Sequence, residues 1–599
     1  MTPQPSSSPI EPAPRWFGPP ERPLFGWLHL PRDRTVRGGV VLCQPLGIEA
    51  ICVYFTYRLL ADRLAEQGLA VLRFDYDGTG DSAGGETDPD RVAAWLASVT
   101  AATDELAATG VPRIGLVGIR MGGLFAAHEA ARRGGVDALV LWDPCVSGRS
   151  FLRQQRFLRH LGGGGVDQEE EAVEAPGLRF EPDTVHDLAG LDLASMDGVM
   201  AKQALVLVPP GTSRPRTLDR RFEGLDVEWK EATGQEGLLD SRRQAPPLET
   251  VASVAGWLAS ALQGEAVTLV EPPAASGPAV VGGTPEGLPV FEHSVTLGEL
   301  GLFGIVTESG AAPRGPTIVL VNEGNTHHIG QARIWVDLAR VLGAAGFRIL
   351  RFDLSGNGDS GTRPGQLAHV SRAPEAIEDV YVAMGSISPD DPTDVVLVGF
   401  CSGAYQVIEQ ALLHPPRGVC VINPAFAFVP PEPEGTAERQ ARQRSKRWLV
   451  HLAGPPLHRL VRTRNPTEAE RWVTALDNGT WPVAMAKRRP GIPESVWRFV
   501  SRHLLDNTGT TILKRVVESE IDTFVVCGSD DYLPIRIGSD DQIRLLEQAP
   551  NFHLEVLSDL DHASWAMAHR KRLVASIAGH LQRAYCSPAP GSASSAPHA

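Results

Sequence analysis

Val395-Val396-Leu397-Val398-Gly399-Phe400-Cys401-Ser402-Gly403 is an apolar run that ends in a glycine-flanked turn with a thiol at its centre. An earlier stretch has the same form, Ile114-Gly115-Leu116-Val117-Gly118-Ile119-Arg120-Met121-Gly122, but centres on an arginine. Upstream of each lies a second matching segment. Residues 71–82 read Val-Leu-Arg-Phe-Asp-Tyr-Asp-Gly-Thr-Gly-Asp-Ser, and 349–360 read Ile-Leu-Arg-Phe-Asp-Leu-Ser-Gly-Asn-Gly-Asp-Ser. A repeat of so long a period means two copies of a whole domain rather than a solenoid. Only the second copy carries a nucleophile at the turn.

The same elements recur around these landmarks. Each copy opens on a two-strand lead, containing Leu24–Leu28 or Leu302–Val306. A buried strand follows, Gly39–Cys43 or Thr317–Val321, and then an amphipathic helix whose faces include Leu59, Leu60 and Leu64 or Trp335, Leu338 and Leu342. The next buried strand ends at Asp75 or Asp353, and after the turn come a helix and the strand Ala138–Trp142 or Gly418–Ile422. Strands of continuous apolar residues alternating with helices predict an α/β fold, with a mostly parallel sheet covered on both faces. Each copy is then interrupted by irregular, helix-prone sequence before the sheet resumes at Ala204–Val208 or Thr523–Cys527. An insertion there is a candidate lid.

The expected domains are 21–262 and 291–585, the second with a lid at about 427–510. Pro- and Ser-rich ends at 1–20 and 586–599 read as disordered, and 263–290 as a linker. At 599 residues the chain is too long for one core. Its 43% hydrophobic and 21% charged composition is that of a soluble globular protein. A formal charge of −15 argues against nucleic-acid binding. The seven cysteines form no C-x-x-C pair, so neither a disulfide framework nor a zinc site is expected. With no leader pattern and no membrane-length apolar run, the expectation is a cytoplasmic protein without a membrane partner, metal or cofactor.

A strand-to-helix turn between small residues lifts its central side chain clear of the sheet and aims the next backbone N–H at the same spot. Cys401 is therefore the expected nucleophile and Ser402 an oxyanion donor, with a second donor from Asn325 in the loop Asn322-Glu323-Gly324-Asn325. A thiol needs a base and an orienting carboxylate. His562, in Asp559-Leu560-Asp561-His562, is the candidate base. The candidate acid is Asp531, with Asp530 as the alternative, in Cys527-Gly528-Ser529-Asp530-Asp531. Gly356-Asn357-Gly358-Asp359-Ser360-Gly361 fits a dinucleotide fingerprint, but Asp359 would sit where a pyrophosphate docks, and the motif reads as a turn. Asp75 and Asp353 read as turn formers. In the first copy no carboxylate or histidine stands at the corresponding places. There Arg120 is either an anion-binding, substrate-facing group or a structural ion pair.

Taken together, the two elbows, the Arg-Phe-Asp-x-x-Gly-x-Gly-Asp-Ser turns and the terminal Asp and His resemble the α/β-hydrolase superfamily over nearly the whole chain. The resemblance implies two tandem domains and the chain order nucleophile, acid, histidine. A cysteine at the elbow resembles dienelactone hydrolase, with its Cys, Asp, His triad, whereas the rest is similar to the serine aminopeptidase-like branch. Asn322-Glu323-Gly324 with Ile329-Gly330 resembles one exosortase-system-associated hydrolase type. Gln44-Pro45-Leu46-Gly47 with Gly-Ile-Arg-Met-Gly resembles the other, so the chain looks like a fusion of the two. It departs at Thr326-His327-His328, where the resemblance implies a basic residue before Ile329.

The expected activity is acyl cleavage of an ester, lactone or thioester through a thioester acyl-enzyme. An acyltransferase or cyclase and a ligand-binding pseudoenzyme are the alternatives. Twelve Lys and Arg residues between Arg439 and Arg489 face only Glu468, Glu470 and Asp477 in that span. They suit a small acyl substrate carried on coenzyme A or a carrier protein, or they pair with the acidic first insertion (Asp167, Glu169, Glu170, Glu171, Glu174). Trp448, Trp472, Trp481 and Trp497 either line an acyl pocket or pack the lid.

Overall fold

The computed structural model describes residues 9–161, 171–198, 200–223, 225–240, 244–269, 277–370, 373, 375–424, 509–529, 540–558, 560, 562, 564 and 566–586. The second expected lid, with its basic residues and tryptophans, lies outside them.

The apolar runs become two sheets of one plan. The first contains β1 (Ile10–Phe17), β2 (Leu24–Pro31), β3 (Gly38–Cys43), β4 (Leu69–Phe74), β5 (Ile114–Ile119), β6 (Val136–Trp142), β7 (Ala201–Val208) and β8 (Asp226–Glu231). Their spatial order is β1-β2-β4-β3-β5-β6-β7-β8. β1 and β2 are antiparallel to their neighbours, and β3 to β8 run parallel. The second contains β9 (Ala279–Gly283), β10 (Pro289–Leu297), β11 (Leu302–Ser309), β12 (Thr317–Val321), β13 (Ile349–Phe352), β14 (Val395–Phe400), β15 (Gly418–Ile422), β16 (Asp522–Gly528) and β17 (Phe552–Leu557). Its order, β9-β10-β11-β13-β12-β14-β15-β16-β17, repeats the first with β9 added at the edge.

Both faces of each sheet are buried, which is why the central strands are apolar without alternation. In β3, Val41 and Cys43 enter one core and Val40 and Leu42 the other. Val319 and Val321 of β12 separate in the same way from Ile318 and Leu320. Among the described residues no helix is long and apolar enough to cross a membrane.

Two expected irregular segments contain strands. Ile10–Phe17, within the stretch expected to be disordered, pairs along its length with Leu24–Pro31. Ile10, Trp16 and Phe17 anchor it in the core. As an edge strand it tolerates Pro12 and Pro14, whose missing N–H groups are not all needed by a ladder. Within the expected linker, Ala279–Gly283 pairs with Pro289–Leu297, and Val267–Thr268 pairs with Thr35–Val36.

The two halves meet through reciprocal contacts made by their repeated motifs. Arg73 Nη2 lies 2.5 Å from Asp359 Oδ1, and Arg351 Nη1 lies 2.5 Å from Asp81 Oδ1. Arg73 corresponds to Arg351 in the repeat, and Asp81 to Asp359, so each half offers the other the same arginine and the same carboxylate. Phe25 and Phe303, also equivalent, stack with centroids 6.4 Å apart. Trp16, Trp27 and Ile305 pack with them in one cluster shared by both halves. The ion pairs are buried, so losing one partner strands the other charge at a cost of about 3–5 kcal/mol.

Candidate active site

The two elbows take the same backbone conformation whatever side chain they carry. Cys401 has φ 52° and ψ −110°, and Arg120 has φ 56° and ψ −121°. Such a positive-φ geometry is strained for an L-residue and persists only where its surroundings hold it. Backbone hydrogen bonds to the neighbouring strand do so: Cys401 N–H donates to Ile422 O at 2.9 Å, and Arg120 N–H to Trp142 O at 3.1 Å. The flanking glycines are required sterically. A Cβ on Gly399 would meet Gly403 O at 2.5 Å, and one on Gly403 would meet Asn322 O and Val321 O at 2.6 Å.

The elbow brings the second copy's expected residues together. His562 Nε2 lies 3.3 Å from Cys401 Sγ. Cys401 is half-buried and the imidazole is exposed. Ser402 opens the helix Ser402–Leu413, so its N–H has no intrahelical acceptor. Its hydroxyl accepts a 2.8 Å hydrogen bond from Gly324 N–H, which ties the loop after β12 to the elbow. Asn325, next in that loop, is half-buried there. Asp530 and Asp531 lie outside the described residues.

Two further residues support the site and were not singled out from the sequence. Asn423, just after β15, donates from Nδ2 to His562 O at 2.8 Å and accepts from Gly528 N–H at 2.9 Å. It therefore ties the histidine segment to the end of β16. The available signal was the matching Asx-Pro after the same strand in both copies, Asp143-Pro144 and Asn423-Pro424. Glu323, beside the elbow, is buried with neither carboxyl oxygen hydrogen-bonded among the described residues, and burial lifts its carboxyl to about 7.

In the first copy the guanidinium of Arg120 is already engaged. It lies 3.4 Å from Glu49 Oε1, 3.4 Å from Asp143 Oδ2, and bonds Gln154 Oε1. Asp143 stands where Asn423 stands in the second copy, so the position that steadies the histidine there steadies the arginine here. A side chain held by two carboxylates and an amide fits the structural ion pair rather than a free anion site.

Asp75 and Asp353 form turns. Their Oδ2 atoms accept from Asp81 N–H at 2.9 Å and Asp359 N–H at 2.8 Å. His328, immediately before Ile329, lies between two buried carboxylates. Its Nδ1 lies 3.0 Å from Asp353 Oδ2 and its Nε2 2.6 Å from Asp81 Oδ2. A carboxylate at each ring nitrogen calls for a proton on both. Burial opposes that charge, but Asp353 and Asp81 outweigh it and push the pKa up to about 10.

Residues 318–576 match the family described as alpha/beta hydrolase, and residues 50–163 match serine aminopeptidase, S33. The chain belongs to the α/β-hydrolase superfamily, a family of hydrolases, with one sheet of that fold in each half. Among solved structures it is similar to Est1E from Butyrivibrio proteoclasticus bound to ferulic acid, at 17% identity over 41% of this chain and 98% of that one, TM-score 0.33. It is similar to a proline iminopeptidase from Mycobacterium smegmatis at 16% identity over 42% and 99%, TM-score 0.29. An alpha/beta hydrolase from Sphaerobacter thermophilus matches at 21% identity over 49% and 98%, TM-score 0.26. The chain matches no curated protein.

Proposed function

We propose that the second copy cleaves activated acyl groups, as esters, lactones or thioesters, with Cys401 as nucleophile. The observation that carries the reading is the 3.3 Å approach of His562 Nε2 to a thiol held on a strained elbow. His562 takes the thiol proton as Cys401 Sγ attacks the acyl carbon. The negative oxygen that forms is met by the N–H groups of Ser402 and Asn325. Collapse expels the alkoxide or thiolate, which takes the proton from His562, and leaves an acyl thioester on Cys401. Water, losing a proton to His562, then releases the carboxylic acid and restores the thiol. Asp531, or Asp530 in its place, fixes the imidazole in this scheme. An acceptor other than water at the last step makes the same enzyme an acyltransferase.

Intact-protein mass spectrometry after brief exposure to p-nitrophenyl butyrate and to an acyl thioester tests this. Native protein is expected to gain one acyl mass and Cys401→Ala none, while His562→Ala acylates slower by about 100-fold or more. An adduct that survives Cys401→Ala, or native protein that neither acylates nor turns over any donor, overturns the reading. Adding an amine or thiol acceptor to the acylated protein separates transfer from hydrolysis.

A further inference from the structure

The loop between β12 and the helix Ile334–Ala344 is held from two sides. On one side it reaches the active site, where Gly324 N–H bonds Ser402 Oγ beside the nucleophile. On the other it is held largely by the first copy. The His327 ring stacks on Tyr54, centroids 3.6 Å apart and planes 12° apart. His328 bridges to Asp81 at 2.6 Å. Arg333 donates to Gly80 O at 2.7 Å and Ser82 O at 2.8 Å. Within the second copy, His328 rests on Asp353.

The first copy also reaches the segment that follows the catalytic histidine. Glu174 Oε1 accepts from Met567 N–H at 2.8 Å, and Arg570 pairs with Glu86. Thus the loop that would supply an oxyanion donor and the helix that follows the base are both fastened to a domain with no nucleophile at its own elbow. A misplacement of about 1 Å is enough to weaken an oxyanion donor or a base.

Resting on the proposed acyl chemistry, we propose that the first copy is a positioning domain: Asp81, Tyr54 and the Gly80 and Ser82 carbonyls hold the loop Asn322–Arg333 in oxyanion-binding geometry. Its residues touch no substrate. They act through Asn325 and Ser402.

The test compares two reactions of one thiol in the full chain. Alkylation of Cys401 by iodoacetamide needs the Cys401–His562 pair but no oxyanion donor, whereas acylation by p-nitrophenyl butyrate needs both. Asp81→Asn and Tyr54→Ala are expected to slow acylation, read as the p-nitrophenolate burst, by about 10-fold or more. Alkylation should stay within about 3-fold of native. Tyr54→Phe keeps the stacked ring and is expected to restore acylation, which also covers the case in which Asp81→Asn does not fold. Arg58→Ala, which removes bonds to Gly358 O and Ser360 O elsewhere on the interface, should change neither rate. Unchanged acylation in Tyr54→Ala, or acylation and alkylation falling together, overturns the positioning role. Native protein that alkylates at Cys401 but never acylates overturns instead the acyl chemistry on which it rests.

Discussion

The His328 bridge makes a sharp claim about stability against pH. In the unfolded chain its imidazole titrates near 6.5, and in the folded chain the proton is held until about pH 10. Below pH 6.5 both states bind the proton and the bridge contributes in full. Between the two values the folded chain binds one proton more than the unfolded chain, so stability falls as pH rises, by about 1.4 kcal/mol per pH unit. Above pH 10 the contribution is gone. The groups facing the ring are Asp81 and Asp353, Arg351 behind Asp81, and His327, which burial and the His328 charge keep neutral, down to about 3.

The useful window is pH 7 to 8.5. Below it, buried histidines with lowered pKa values such as His29 and His369 add their own slope. Above it, buried thiols such as Cys43 and Cys420, which burial keeps protonated, begin to ionise in the unfolded chain. Across the window the native protein should lose on the order of 2 kcal/mol relative to His328→Gln. At about 3 kcal/mol per molar urea, that is a midpoint lowered by roughly 0.7 M. Urea unfolding of both proteins at four pH values measures it. Parallel curves would refute a cationic His328.

Asn423→Ala removes the amide bridge between the histidine segment and the end of β16, and kcat/KM is expected to fall by about 10-fold or more while the acyl adduct on Cys401 still forms, as steady-state kinetics with mass spectrometry will show. Gly403→Ala pushes a Cβ to 2.6 Å from two backbone oxygens that cannot turn away; it should cost about 3 kcal/mol or more, and a thermal midpoint equal to native would contradict the close approach.

The sheets were legible because fully buried strands leave continuous apolar runs, and the elbow was legible because its geometry demands glycine on both sides. The edge strand Ile10–Phe17 was obscured by its prolines, which a central strand excludes and an edge admits. Its signal was the pair Trp16-Phe17. For the site, Cys401, Ser402 and His562 could be named from residue type and order, whereas Asn423 acts through an amide bridge that no spacing announces. The ties between halves were hidden for another reason. Arg73 and Asp81 stand in one motif and Arg351 and Asp359 in its repeat, yet each arginine meets the aspartate of the opposite copy. Two strings that share their arginine and aspartates do not disclose which of those residues exchange partners.

That exchange has a consequence for the chain as an object to be made and inherited. Arg351 and His328 each have a counter-charge in the other half, as do Arg73 and Asp359, so either half alone would expose charges and aromatic rings prepared for its counterpart. Joining the halves in one polypeptide fixes their ratio at one to one. It also turns a bimolecular encounter into an intramolecular one, at an effective concentration of order millimolar for a short connection. A face that fits its own copy invites like-with-like pairing, and covalent linkage lets the correct pair form before the wrong one. With the partnership held by these shared contacts, one elbow carries an arginine in place of a nucleophile without dissolving it.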